Sequence, residues 1–144
     1  MCTCRRCTAE DHVVQESDDR VEQIVALIAE LDDYTETGKG TPDKAELLIT
    51  LQELEGQVIR MYEAYYRAAV EWNGVGETTK ALRYARLCLS RGIVLRGPGR
   101  AFAENLRAMM KEPEKHWTFR FRLKNAEKQK GRESASASAS ATGA

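Results

Sequence analysis

No excess of either charge marks this chain of 144 residues: 22 Lys and Arg offset 22 Asp and Glu. As a total, that argues against a general nucleic-acid binder or a membrane-surface protein. No apolar run approaches the roughly 20 residues that a membrane span needs. Nor does the N-terminus carry an apolar stretch of signal-peptide length, so a cytoplasmic or nuclear protein is expected. Familiar catalytic patterns are missing too. There is no Ser/His/Asp set, no phosphate loop, no HExxH and no base-reading element, so no catalytic residue is assigned and no specific nucleic-acid contact is expected. The length suits one domain with a real core.

The balanced total hides a sharp division. Residues 1–56 hold 14 acids against 5 bases, and residues 57–144 hold 8 acids against 17 bases. An acidic half, net −9, is joined to a basic half, net +9. Basic side chains at Arg83, Arg86, Arg91, Arg96, Arg100 and Arg107 recur mostly at helical spacing. Such a face is either a solvated surface or one that attracts an acidic peptide or histone-bound nucleic acid, the latter without sequence specificity.

Cys2-Thr3-Cys4-Arg5-Arg6-Cys7 opens the chain. In the expected compartment a disulfide framework is improbable, which turns clustered cysteines towards metal or thiol chemistry. Zinc takes four ligands in a tetrahedron and favours thiolates, and this spacing lets one tight turn supply three of them. Arg5 and Arg6 would help keep the thiols ionised. A redox-active thiol cluster is the competing reading. His12, five residues after Cys7, is a candidate fourth ligand, with a plain exposed histidine the simpler interpretation. Cys88 lies at a small-residue position of an apolar helical face and reads as a buried hydrophobe.

Helical periodicity runs through the middle. Ser17 is expected to cap a first helix, with Asp18 and Asp19 at its positive end and Val21, Ile24, Val25, Ile28 and Leu31 on one face. Thr35 to Gly40 reads as a polar loop and Thr41-Pro42 as an N-cap with first-turn proline. Leu47, Leu51, Leu54, Val58, Met61, Tyr65, Ala69 and Trp72 form a long stripe interrupted by Gly56. One helix with a weak point or two helices meeting at Gly56 both fit. Asn73-Gly74-Val75-Gly76 stops that run. A further helix carries Thr78 to Leu89 and is expected to close at Gly92, before a Gly97-Pro98-Gly99 turn. The last helix bears Phe102, Leu106, Met109 and Met110 and stops short of Pro113.

Trp117, Phe119 and Phe121 alternate with Thr118, Arg120 and Arg122, as a short extended segment or an aromatic clamp over the bundle would. Beyond Lys124 no apolar residue exceeds alanine, so the Ser-Ala tail is expected to be disordered. The aromatics Tyr62, Tyr65, Tyr66 and Trp72 read as core. Asp18-Asp19 and Asp32-Asp33 read as solvated acids at helix ends or loops, and His116 beside Trp117 as an aromatic-packed structural histidine. The expected fold is all-α, built of antiparallel helical hairpins. Residues 1–16 form a cysteine arm, 17–123 the helical domain and 124–144 the tail.

Residues 62–92 resemble one tetratricopeptide repeat, with Tyr65 and Ala69 on the first helix and Ala81 and Cys88 at small positions of the second. The cysteine cluster, an acidic helical region, this pair and Pro113-Glu114-Lys115-His116-Trp117 follow one another over residues 2–122. In that order they resemble the C-terminal part of fungal SET-domain proteins, related to the SET- and MYND-domain lysine methyltransferases. The resemblance implies that Cys2, Cys4 and Cys7 are zinc ligands, with a fourth cysteine donated by a SET core. It also implies a helical domain beside the substrate cleft, and a histone or other lysine-bearing protein or peptide as partner. The family's glycine-rich S-adenosylmethionine segment, its Asn-His-x-Cys stretch and its lysine-orienting tyrosine have no counterpart here. The chain is therefore expected to be a catalytically silent portion of such a protein, with S-adenosylmethionine bound only by a full-length parent. A free-standing tetratricopeptide-like interaction module is the alternative.

Overall fold

The computed structural model describes residues 2–4, 7–96 and 101–141, and among these every regular element is helical. The six α-helices are α1 (Asp11–Leu31), α2 (Pro42–Leu54), α3 (Met61–Gly74), α4 (Thr78–Arg96), α5 (Ala101–Lys111) and α6 (Phe121–Ala141), with a single 3-10 turn at Val58–Arg60. Antiparallel neighbours pack in chain order: α1 on α2, α2 on α3, α3 on α4 and α4 on α5. The bundle is thus the expected all-α arrangement of hairpins.

Two glycines set the turns. At Gly56 (φ 66°) the Gln57 amide donates to the Gln52 carbonyl at 2.9 Å and the Gly56 amide to Glu53 at 3.0 Å. At Gly76 (φ 85°) Glu77 donates to Trp72 at 2.9 Å and Gly76 to Asn73 at 3.0 Å. Both are Schellman caps, which need a left-handed residue at the helix end. The long Leu47-to-Trp72 stripe therefore divides into two helices at Gly56. Thr41 caps α2 as its sequence suggests, its hydroxyl accepting from the Lys44 amide at 3.3 Å, with Pro42 in the first turn.

α3 is the central helix. Tyr62, Ala64, Tyr65, Ala68, Ala69 and Val70 are all buried, and on α4 Ala81, Ala85 and Cys88 are fully so. Small residues at the crossing let the two helices approach closely, while Leu31, Leu48, Leu106 and Met109 fill the flanks.

Four expectations are corrected. α1 begins at Asp11, not Ser17; Glu10 stands at its N-cap without a side-chain cap, and Asp18 and Asp19 lie about two turns inside. Ser17 instead donates from Oγ to Glu55 at 2.7 Å, and Arg20 Nε bonds the same carboxylate at 2.5 Å. One residue at the end of α2 thereby claims the side chain that sequence reasoning reserved for a cap. α4 runs through Gly92 to Arg96. A Cβ at Gly92 would stand 2.6 Å from the Phe102 ring, so that glycine admits α5 rather than ending α4. The Gly97-Pro98-Gly99 turn lies outside the described residues.

Residues 113–120 are a series of tight turns, not an extended segment, with Phe119 donating to His116 at 2.9 Å and Arg120 to Asn73 at 2.9 Å. The clamp reading is the one realised. Tyr34 packs edge-on against Trp117 (5.5 Å) and Phe121 (5.9 Å), and Phe121 seats where a Cβ at Gly74 would collide. Last, the Ser-Ala tail continues α6 as helix to Ala141. Alanine has the strongest intrinsic helix preference. The Ser134 and Ser138 hydroxyls bond back to carbonyls four residues earlier, at 2.9 and 3.0 Å. Asn125, Lys128, Gln129 and Arg132 meet Thr35 and Glu36, and residues 133–141 are exposed.

Candidate metal centre

Backbone turning at the arm gathers the thiols. The Thr8 amide and hydroxyl both donate to the Cys4 carbonyl at 3.2 Å, which holds Thr8 beside Cys4. The Sγ atoms of Cys2, Cys4 and Cys7 all lie within 4.8 Å of one another, and all three residues are exposed. Tetrahedral thiolate ligation with metal–sulfur bonds of about 2.3 Å requires sulfurs about 3.8 Å apart. A small closing movement of an exposed arm covers the difference, so the three soft donors fit a thiophilic ion and can hold a metal. Among the described residues no histidine or carboxylate joins the three sulfurs within that distance. His12 is exposed and turned to Glu10, with Nδ1 3.4 Å from its carboxylate. Arg5 and Arg6, expected to favour the thiolates, lie outside the described residues.

The arm borders a cleft of about 290 Å³ lined by Ala9, Val13, Val14, Ser17, Arg20, Leu54 and Glu55. Its floor is the Ser17–Glu55–Arg20 cluster that ties α1 to the end of α2. The arm leads into α1, which that polar, partly buried cluster ties to the end of α2.

The other sequence candidates are structural. Cys88 has no exposed surface; burial, with the Glu63 carboxylate behind it, pushes its thiol up to about 12. Such a thiol is neither nucleophile nor ligand. Tyr62 and Tyr65 are buried core, and Tyr66 and Trp72 half-buried. His116 belongs to a chain of hydrogen bonds. Asn105 Nδ2 donates to the Tyr66 hydroxyl at 2.9 Å, which leaves Asn105 Oδ1 to accept from His116 Nε2 at 2.8 Å. His116 Nδ1 then accepts from the Thr118 hydroxyl at 2.8 Å, and Thr118 accepts from Asn73 Nδ2 at 2.7 Å. Burial holds the imidazole below its ordinary 6.5, in keeping with a neutral ring that donates on one side and accepts on the other. Asp32 is not merely solvated: Arg67 grips its carboxylate with two bonds of 2.8 and 2.7 Å. Asp33 accepts from the Thr35 amide and hydroxyl, which hold its carboxyl below the ordinary value.

Sequence reasoning missed the most buried charges. Glu71, fully buried, receives Arg122 Nε at 2.9 Å and Nη2 at 2.6 Å, while Nη1 reaches the Asp33 carbonyl at 2.9 Å. A Cβ at Gly40 would fall 2.1 Å from Arg122 Nη2, so a glycine is what leaves room for the guanidinium. Glu46 was also missed; it accepts from Trp72 Nε1 at 3.1 Å and from the Tyr84 hydroxyl at 3.0 Å. The available signal was an acid inside an otherwise apolar helical face. Both residues are structural.

No protein-family profile, no curated protein and no solved structure matches this chain.

Proposed function

We propose that this chain is the zinc-holding accessory portion of a SET-domain protein-lysine methyltransferase-like protein. Three thiolates, from Cys2, Cys4 and Cys7, hold the ion, and a cysteine of a SET core closes the tetrahedron. The observation that carries the reading is the exposed sulfur trio within 4.8 Å, joined by no fourth donor among the described residues. A ligand position left open at a surface is one that a neighbouring domain can fill. S-adenosylmethionine and methyl transfer belong to that core; this chain by itself transfers no methyl group. The helical bundle contacts the lysine-bearing protein or peptide, a histone or another substrate.

Two measurements test the proposal. The transcript 5′ of the first codon should encode an Asn-His-x-Cys stretch in frame; an in-frame stop immediately upstream overturns it. Zinc affinity, read by competition with a chelating dye, should be weak for the chain alone and tight once the cysteine-bearing core is supplied. Tight binding of one equivalent by the chain alone would mean that one of its own residues completes the site.

A second reading has its own support. Every buried hydrophobic residue of the core cluster lies between Ile24 and Phe121, and none is on the arm. A free-standing tetratricopeptide-like interaction module, with the arm a dispensable appendage, suits that independence. It predicts thermal unfolding unchanged by deletion of residues 1–9 and no gain in metal affinity from any SET core.

A further inference from the structure

α1 and α4 are opposite in charge, and each turns one face to solvent. α1 carries six acids and one base, whereas α4 carries five bases and no acid. Within the bundle α1 packs on α2, and α4 on α3 and α5. Glu16 and Glu22 on α1, and Arg83 and Arg86 on α4, are exposed and enter no ion pair among the described residues.

Each helix also presents aliphatic side chains to solvent. On α1 these are Val21 and Val25, one turn apart, with Val25 63% exposed. On α4 they are Val94 and Leu95, which with Val58 and Ile59 of the 3-10 turn frame a cleft of about 280 Å³. Val94 is 83% and Ile59 73% exposed. A contiguous aliphatic cluster of this kind beside basic residues is a contact surface by its chemistry.

The two patterns run in the same order. Glu22 lies three residues before Val25 on α1, and Arg91 lies three before Val94 on α4, and all four are exposed. Residues three apart share one helix face, and at 1.5 Å rise each pair spans about 4.5 Å. A copy of α1 laid parallel to α4 therefore sets acid against base and Val25 against the aliphatic cleft in one register. We propose that this chain associates head to tail, the outer face of α1 in one copy docking on the α4 and 3-10 face of the next. Stacked helical hairpins bury their end faces on neighbours in this way. A net charge of zero leaves no long-range repulsion to oppose the contact. Because the two faces differ, the contact is heterologous and continues beyond a dimer unless it closes a ring. The inference is independent of the arm and of the proposed SET core.

Sedimentation velocity of the full chain tests it. At low salt the weight-average mass should rise with concentration past that of a dimer. At about 1 M salt, where the Debye length is about 3 Å, it should fall at least severalfold in association constant. Val25→Lys disables one face and Val94→Glu the other; both positions are exposed, and circular dichroism confirms the fold. Each variant alone should be monomeric, while their equimolar mixture forms a dimer and stops there. Three results overturn the proposal: a monomeric wild type at low salt, undiminished association in either variant, or a mixture that stays monomeric.

Discussion

Cys88 and the cysteines of the arm show what surroundings do to one side chain. Cys88 lies on the inner face of α4, fully buried, with its thiol pushed up to about 12. Cys2, Cys4 and Cys7 stand in water within 4.8 Å of one another. The first contributes volume to a helix crossing where only a small residue fits. The other three contribute donor atoms and no core. Polar groups divide the same way, between an interior where Arg122 and Glu71 are nearly sealed from solvent and a rim of exposed pairs such as Lys115 with Glu112. Stability resides in the interior and the candidate metal donors in the arm, and substitutions should separate the two.

The largest effect is expected from Arg122→Ala. It strands the Glu71 carboxylate in the core and should cost about 3–5 kcal/mol, read as a lowered urea midpoint. Replacing both partners by apolar residues of matching volume should recover most of the loss. Cys88→Ser comes next: an unpaired hydroxyl in place of the thiol should cost about 1–3 kcal/mol. Cys4→Ser, by contrast, should shift stability by no more than about 0.5 kcal/mol while abolishing metal binding. An equal loss from both serine variants would break the division between arm and interior.

Thiol labelling sharpens the contrast. In the native protein Cys2, Cys4 and Cys7 should react with an aromatic disulfide reagent at once, and Cys88 only on unfolding. Rapid labelling of a fourth thiol would show that the α3–α4 crossing opens. A smaller effect is expected from pH. His116 has a lowered folded value, so below its ordinary 6.5 the unfolded chain binds more protons than the folded one. Stability should be full above about pH 6.5 and decline as pH falls through the folded value. Loss of that slope in His116→Gln would confirm the assignment. The weakest expected signal is at the tail, where the amides of the exposed helix beyond Arg132 should exchange far faster than those of α3.

Much of the fold was legible because its signals are local. Thr41-Pro42 caps a helix through atoms three residues apart, and Gly56 and Gly76 accept a left-handed φ that few other residues tolerate. Steps of three and four named the inner faces of α3 and α4. On α2 the stripe chose Leu47 and Leu54, which are exposed, whereas the buried face is Ala45, Leu48, Ile49 and Leu51. The start of α1 was misread because Ser17 has two uses, and a partner 38 residues away, Glu55, selected the second. Gly92 was misread for a similar reason: a glycine that ends a helix and one that admits a neighbouring ring look alike until Phe102 is in place. The tail was misread because poverty of apolar residues was weighed without the helix preference of alanine. For the metal centre, spacing alone identified the three donors, since a six-residue segment can bring its own thiols together.

The sequence by itself determined the turns at Gly56 and Gly76, the inner faces of α3 and α4 and which cysteines cluster, because each depends on neighbours within a few residues. It also divided the charge into halves of −9 and +9. Only the tertiary structure decided how those charges are used. Asp32 and Arg67, 35 residues apart, and Glu36 with Lys128 and Arg132 join the two halves inside one molecule. Glu71 meets Arg122 across 51 residues in a dry interior. Glu16 and Glu22 of α1 and Arg83 and Arg86 of α4 were left facing solvent. That sorting follows from which surfaces the core buries, and burial is a property of the whole chain that no local segment encodes.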